Sequence, residues 1–135
     1  MGEGEKEIKS SEIWGALYGL LWTSDYETLV ASLSLMNVLV WSGGVTILNK
    51  IKLLPLVIKL LAKKEIEFVL HIQSIIFAIL EEKSAKGLRK QLVDLGTIDI
   101  LIDVEKSPEF LVIPTLLSKI KWTRCELEII ASAIK

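Results

Sequence analysis

Polar breaks divide the chain into apolar runs of helical length, and the signals between them mark where helices start and stop. Ser24-Asp25-Tyr26-Glu27 reads as a capping box, in which Ser24 accepts from the backbone N–H three residues on and Glu27 reaches back. The run behind it, "TLVASLSLMNVLVWSGGVTILN" from Thr28 to Asn49, carries no charge, and the Gly43-Gly44 pair predicts a break inside it. Lys63-Lys64-Glu65 interrupts the next apolar run and marks another junction. Ser107-Pro108-Glu109 places a capping serine ahead of a proline at the first helical position, where its missing N–H costs nothing. Thr123-Arg124-Cys125-Glu126 reads as a second capping box, opening a terminal helix with Leu127, Ile130 and Ile134 inward.

Three segments repeat one arrangement. "IWGALYGLLWTSDYETLVASLSLMNVL" begins at Ile13, "LPLVIKLLAKKEIEFVLHIQSIIFAIL" at Leu54 and "IDILIDVEKSPEFLVIPTLLSKIKW" at Ile98, so the starts lie 41 and then 44 residues apart. Each holds a short apolar run, a polar break and a longer apolar helix. Short additional helices, "VTILNKIK" and "AKGLRKQLVDLG", precede the second and third.

A period of about 40–47 residues with two or three helices resembles the armadillo/HEAT family. "RKQLVDLGTIDILIDVEKSPEFLVIPTLL" is similar to an armadillo junction, with a short first helix, a glycine at its C-terminus, an isoleucine-led second helix and a long third helix. "LLPLVIKLL", with Pro55 near its start, is similar to the family's second helix, and "ASLSLMNVL" to its third. The resemblance spans about residues 12–134 and implies an all-α fold: a short right-handed α-solenoid of about three armadillo/HEAT-like repeats plus a C-terminal helix. Pro114 departs from the pattern, because it falls inside the third long helix and should kink it.

The repeat register also bears on an ambiguous stretch. Ile98, Ile100, Ile102 and Val104 alternate with Asp99 and Asp103 as in a half-buried strand, yet the same residues fit a helix with Ile98, Leu101 and Ile102 inward. A strand would need a partner, and the best other candidate, Val45–Ile51, falls where the repeat places a first helix. The helix agrees with the period, with Gly96 and with Ser107-Pro108 together, so helix is expected here.

Length and charge narrow the class. At 135 residues the chain is expected to be a single helical domain over residues 11–135 behind a frayed arm, residues 1–10, whose polar sequence is unlike a secretory signal. The uncharged run from Thr28 is long enough to span a bilayer, but Ser32, Ser34 and Asn37 punctuate it and the glycine pair interrupts it, which argues for a buried helix instead. Sixteen basic residues against seventeen acidic ones give a net charge of −1, which argues against general nucleic-acid binding. The lysines and Arg89 that cluster at 50–64 and 83–90 are interleaved with acids, the pattern of surface salt bridging. Cys125 is the only cysteine, so no internal disulfide exists and a reducing, cytoplasmic setting is expected. Scarce amides (Asn37, Asn49, Gln73, Gln91) amid abundant Ile, Leu, Lys and Glu match the bias of thermophilic proteins.

Candidate chemistry is sparse. His71 has only Glu67 one turn away, Cys125 has no base beside it and reads as a buried inert thiol, and no phosphate loop, nucleophile elbow or metal-ligand spacing occurs. Neither cofactor nor metal is expected, and the chain reads as a non-enzyme. Polar stripes on apolar helices are more informative. Ser34, Asn37 and Trp41 share one face of the first long helix, with Leu35, Val38 and Leu39 expected to be buried; Glu67, His71 and Ser74 share one face of the second. In the armadillo family, as in nuclear-import adaptors, an asparagine on the third helix bonds the backbone of an extended peptide and a tryptophan one turn earlier stacks on its side chains. The resemblance puts Asn37 at that asparagine, while Leu33 stands at the tryptophan position and Ala78 and Ile120 near the later asparagines. The missing ladder argues against import-adaptor-like binding of basic peptides and keeps open a purely structural amide at Asn37.

The expectation is therefore a protein-interaction or assembly module that binds a protein or peptide partner. Its groove would be lined by Ser34, Asn37, Trp41, His71 and Ser74, with homo-oligomer contacts through an apolar end at Trp14, Leu17, Tyr18 and Leu21. Trp41 would serve as an aromatic anchor or fill the gap beside Gly43-Gly44, and Trp22 and Trp122 fall near solenoid ends. The rival expectations are a HEAT-like nucleic-acid-binding protein or enzyme and a small membrane-associated helical protein.

Overall fold

The computed structural model describes the backbone of residues 3–134 and the side chains of residues 12–48 and 52–134, and no strand occurs among them. Helix α1 (Glu3–Leu20) is followed by α2 (Tyr26–Leu39), whose end passes through a π turn (Val40–Gly44) into α3 (Val45–Ile51). Then come α4 (Leu54–Leu61), α5 (Ile66–Glu81), α6 (Lys86–Asp94), α7 (Thr97–Glu105), a 3-10 turn (Pro108–Phe110) and α8 (Pro114–Ile134). The arm expected over residues 1–10 is helical from Glu3 onward, because its Glu and Lys residues are good helix formers and extend α1 without a break. Met1 and Gly2 lie outside the described residues.

Local chemistry sets the boundaries. Asp25, not Ser24, caps α2: its extended backbone turns the carboxylate toward the Thr28 N–H at 3.0 Å, which shifts the helix start by one residue from the one a Ser24 cap would give. The break at the glycine pair occurs as expected. Gly43 takes φ 99°, which an L side chain resists. At Gly44 a Cβ would lie 2.7 Å from the Leu39 carbonyl oxygen and 2.8 Å from Trp14 Cζ2, so the tryptophan seated on the pair is Trp14 from α1, not Trp41. Lys64, with φ 60°, ends the turn between α4 and α5. Gly96, with φ 79°, separates α6 from α7, and the Thr97 hydroxyl donates to the Leu92 carbonyl at 2.6 Å. Arg89 donates to the Leu80 and Glu82 carbonyls at 2.8 and 2.9 Å, capping the end of α5 together with the Ala85 N–H, which also donates to Glu82. Residues 98–104 are helical, within α7.

Two expectations about the C-terminal third are corrected. Ser107-Pro108 opens only a 3-10 turn, pinned by buried Phe110, and the long helix begins at Pro114. Proline at the head of a helix removes an N–H that had no partner there, so it starts α8 and does not kink it. Thr123 is likewise no cap. It lies in the middle of a continuous α8, fully buried, where it accepts from Gln73 Nε2 on α5 at 3.3 Å.

Helix α5 is the centre of the packing, flanked by α2 on one side and α8 on the other; α8 also rests on α6 and α7, and α1 on α2 and α3. Having neighbours on two sides, α5 buries Phe68, Val69, Ile72, Ile75, Ile76 and Ile79, and its sequence is correspondingly apolar around most of its circumference. In α2 a single inward stripe, Leu29, Leu33 and Met36, joins the core and is continued by Val40 of the π turn. Leu35 and Val38, expected to be buried, are 46% and 59% exposed, while Leu39 is partly buried. A helix whose one charge, Glu27, stands in its first turn does not specify its own rotation, and the face offered to α5 decides it. Among the described residues one segment, Tyr26–Leu48, is long and apolar enough to cross a membrane by length and composition; a third (33%) of its apolar window is buried in the fold.

Candidate binding groove

Because α5 lies between α2 and α8, the seams on either side of it open along one surface. There a cleft of about 690 Å³ is lined by Asn37 and Trp41 from the α2 end, Leu70, His71, Gln73, Ser74 and Phe77 from α5, and Ser118, Lys119 and Trp122 from α8. Four of the expected groove residues, Asn37, Trp41, His71 and Ser74, meet here, from two helices remote in sequence. Ser34, half-buried one turn before Asn37, is not part of the lining.

Three aromatic rings form a continuous wall. Trp41 and Phe77 stack with centroids 5.8 Å apart and planes 28° from parallel, and Phe77 meets Trp122 at 5.1 Å and 40°. The Trp41 indole N–H donates to Ser74 Oγ at 3.0 Å, which fixes the ring's orientation and ties the α2 end to α5. Trp41 and Trp122 are nonetheless 51% and 43% exposed, so the wall has faces left open to solvent. On the lining, Gln73 makes the buried bond to Thr123 that pins α5 to α8.

Asn37 presents a different kind of opening. Its side chain is partly exposed, yet Oδ1 is buried and has no hydrogen-bond partner. Buried acceptors in folded proteins are nearly always paired, and a group left unpaired is destabilising by about 1–3 kcal/mol. Asn37 lines the cleft, so turning its amide toward an occupant that brings a donor would satisfy it.

The electrostatics of the lining are one-sided. Lys119 is its one lysine or arginine, His71 stands across from it on α5, and none of the ten lining residues is Asp or Glu. Glu67, expected beside His71, points instead into a separate cleft with Tyr26, Lys63, Lys64 and Glu109. Arg124 on the same helix is ion-paired: it bonds Glu105 through Nε and, at 3.2 Å, through Nη2, and Glu128 at 3.1 Å, whereas Lys121 has no ion pair among the described residues but lies outside the lining. Lys64 and Lys90 pair with Asp103 and Asp94 at 2.7 and 3.0 Å. No group of three or more His, Cys, Asp or Glu among the described residues is placed to hold a metal ion.

The expected self-association face is corrected. Trp14, Leu17 and Leu21 are buried within the single chain, where they fall on one stripe of α1 turned toward α2 and α3. Tyr18 alone of the four is exposed, with its ring edge-on to Trp22 at 6.2 Å. The run "IWGALYGLLW" lacks a polar stripe, as read, but its helical spacing directs the large residues Trp14 and Leu17 into the core. Cys125, expected to be buried, is exposed on α8.

Sequence reasoning missed Phe77, Trp122 and Lys119. An aromatic residue in an apolar helix reads as core, and only the neighbouring helix makes it a wall. Compared with protein-family models, with curated proteins and with solved structures, the chain gives no significant match.

Proposed function

We propose that this chain is a non-catalytic protein-interaction module of armadillo/HEAT-like build that holds an extended segment of another protein in the α2–α5–α8 groove. The observation that carries the reading is the unpartnered, buried Oδ1 of Asn37 beside an aromatic wall left half open to solvent. An extended peptide offers both complements at once: main-chain N–H groups for the amide and side chains for the rings. The solenoid arrangement is supported by the order of elements. Two short helices, α3–α4 and α6–α7, precede each of the later long helices, and the long helices α2, α5 and α8 lie in series, α2 against α5 and α5 against α8. Binding is favoured over catalysis because His71 has no carboxylate beside it on the lining and no nucleophilic cysteine reaches the cleft.

Asn37→Ala tests the reading. The free protein should melt no lower than the parent, because the change removes a buried acceptor that is already unpaired. A peptide that occupies the groove should bind about 1–2 kcal/mol more weakly, the scale of one hydrogen bond left unmade. A fall of many degrees in melting temperature, with no change in binding, would make Asn37 a structural amide and remove the basis for this groove.

A further inference from the structure

The lining that suggests peptide binding also bears on what the peptide carries, an inference that rests on the proposed groove. We infer that the occupant is an extended peptide segment in which a large apolar side chain adjoins an acidic one. The apolar side chain lies on the Trp41–Phe77–Trp122 wall and the carboxylate meets Lys119.

Charge complementarity selects this chemistry. Open aromatic faces accept either apolar groups or cations. A cation would enter a cleft that already holds Lys119 and offers no acid to balance it. That absence is local. The chain has more acidic than basic residues, and the neighbouring cleft lined by Tyr26, Lys63 and Lys64 sets Glu65, Glu67 and Glu109 among its lysines. Lys119 has no ion-pair partner among the described residues, and the nearby guanidinium of Arg124 is already held by Glu105 and Glu128. The acids of the elements around the groove stand outside the lining, about one turn or more along the helix from it. In α2 the only acid is Glu27 in the first turn; in α5 they are Glu67 at the start and Glu81 at the end; in α8 they are Glu126 and Glu128, beyond Trp122. The Trp41 N–H is committed to Ser74, and among the donors that remain on this lining the ammonium of Lys119 is the one from a lysine or arginine, which a carboxylate meets as an ion pair.

The test is selection of a displayed library of random linear peptides against the full chain and two variants, Lys119→Glu and Trp122→Ala. Both positions are exposed, and circular dichroism checks that both variants fold. The parent should enrich sequences that join Phe, Tyr, Leu or Ile to Asp or Glu. Lys119→Glu should lose these sequences, while Trp122→Ala should enrich none. A synthetic peptide from the enriched set should change the tryptophan emission on titration and bind about tenfold more weakly to Lys119→Glu, with affinity falling as salt rises. Enrichment of neutral or basic sequences by the parent, or equal binding of acidic ones by Lys119→Glu, overturns the charge inference and leaves the groove standing. Enrichment indifferent to Trp122→Ala, or no enrichment at all, removes the groove reading and this inference with it. Emission that changes with protein concentration alone shows the cleft taken by a second copy, which also overturns it.

Discussion

Asp25 carries the electrostatics of the α2 N-terminus. The Thr28 hydroxyl, and after it the Thr28 backbone N–H, hold its carboxyl below the ordinary value of 3.8. The ionised form is therefore favoured in the folded state. The stability it confers is complete above the ordinary carboxylate range and is lost as the pH falls through the lowered folded value. Melting temperatures of the parent and of Asp25→Ala, followed from neutral pH into acid, should differ by a few degrees at neutral pH and converge at the acid end. A gap that persists unchanged into acid would mean that the cap does not depend on charge. At this scale part of the groove was legible. Asn37 and Trp41, and likewise His71 and Ser74, are polar or amphipathic positions spaced for one helix face. Lys119 was not, since nothing about a lysine in an ordinary amphipathic stretch tells whether its charge will be paired.

Helix boundaries were legible wherever a residue with special backbone geometry stood alone. Gly96, the Gly43-Gly44 pair and the Lys63-Lys64-Glu65 break all end helices. The head of α8 was not, because two prolines compete for it. Ser107-Pro108 carries the stronger local signal, but Phe110 must reach the core, and that anchor spends the turn before the helix begins. The α7–α8 pair is fastened by Arg124, whose guanidinium is held well above its ordinary pKa first by Glu105 and then by Glu128. The side chains of Arg124 and Glu105 are only 23% and 12% exposed, so removing one leaves a charge that is mostly shielded from water. Arg124→Met should cost about 2–3 kcal/mol in urea denaturation, and Arg124→Met with Glu105→Met should recover most of it. A double variant no better than the single one would assign the loss to packing.

The whole molecule is organised around α5, which packs between α2 and α8 and also meets the short helices α4 and α6. The order of helices and the repeat were readable from the chain, but the rotation of each helix was not. Leu35 and Val38 face out and Trp14 faces in because of what α5 and the glycine pair offer, not because of local pattern.

That central position sets a sequence of events in time. Amide protons in a helix exchange with solvent only when it opens, and a helix held from two sides opens only when a neighbour has left. Deuterium should therefore enter α5 last, at the rate of global unfolding, and α1 and the C-terminal turns of α8 early, so that the protein frays from its ends inward. A groove that straddles both seams of α5 can be filled only while both flanking helices are in place. An occupant should therefore slow exchange in α2 and in the part of α8 around Lys119 and Trp122, regions it bridges but that hardly touch each other. Protection that grew on one side alone would mean that only half the cleft is used.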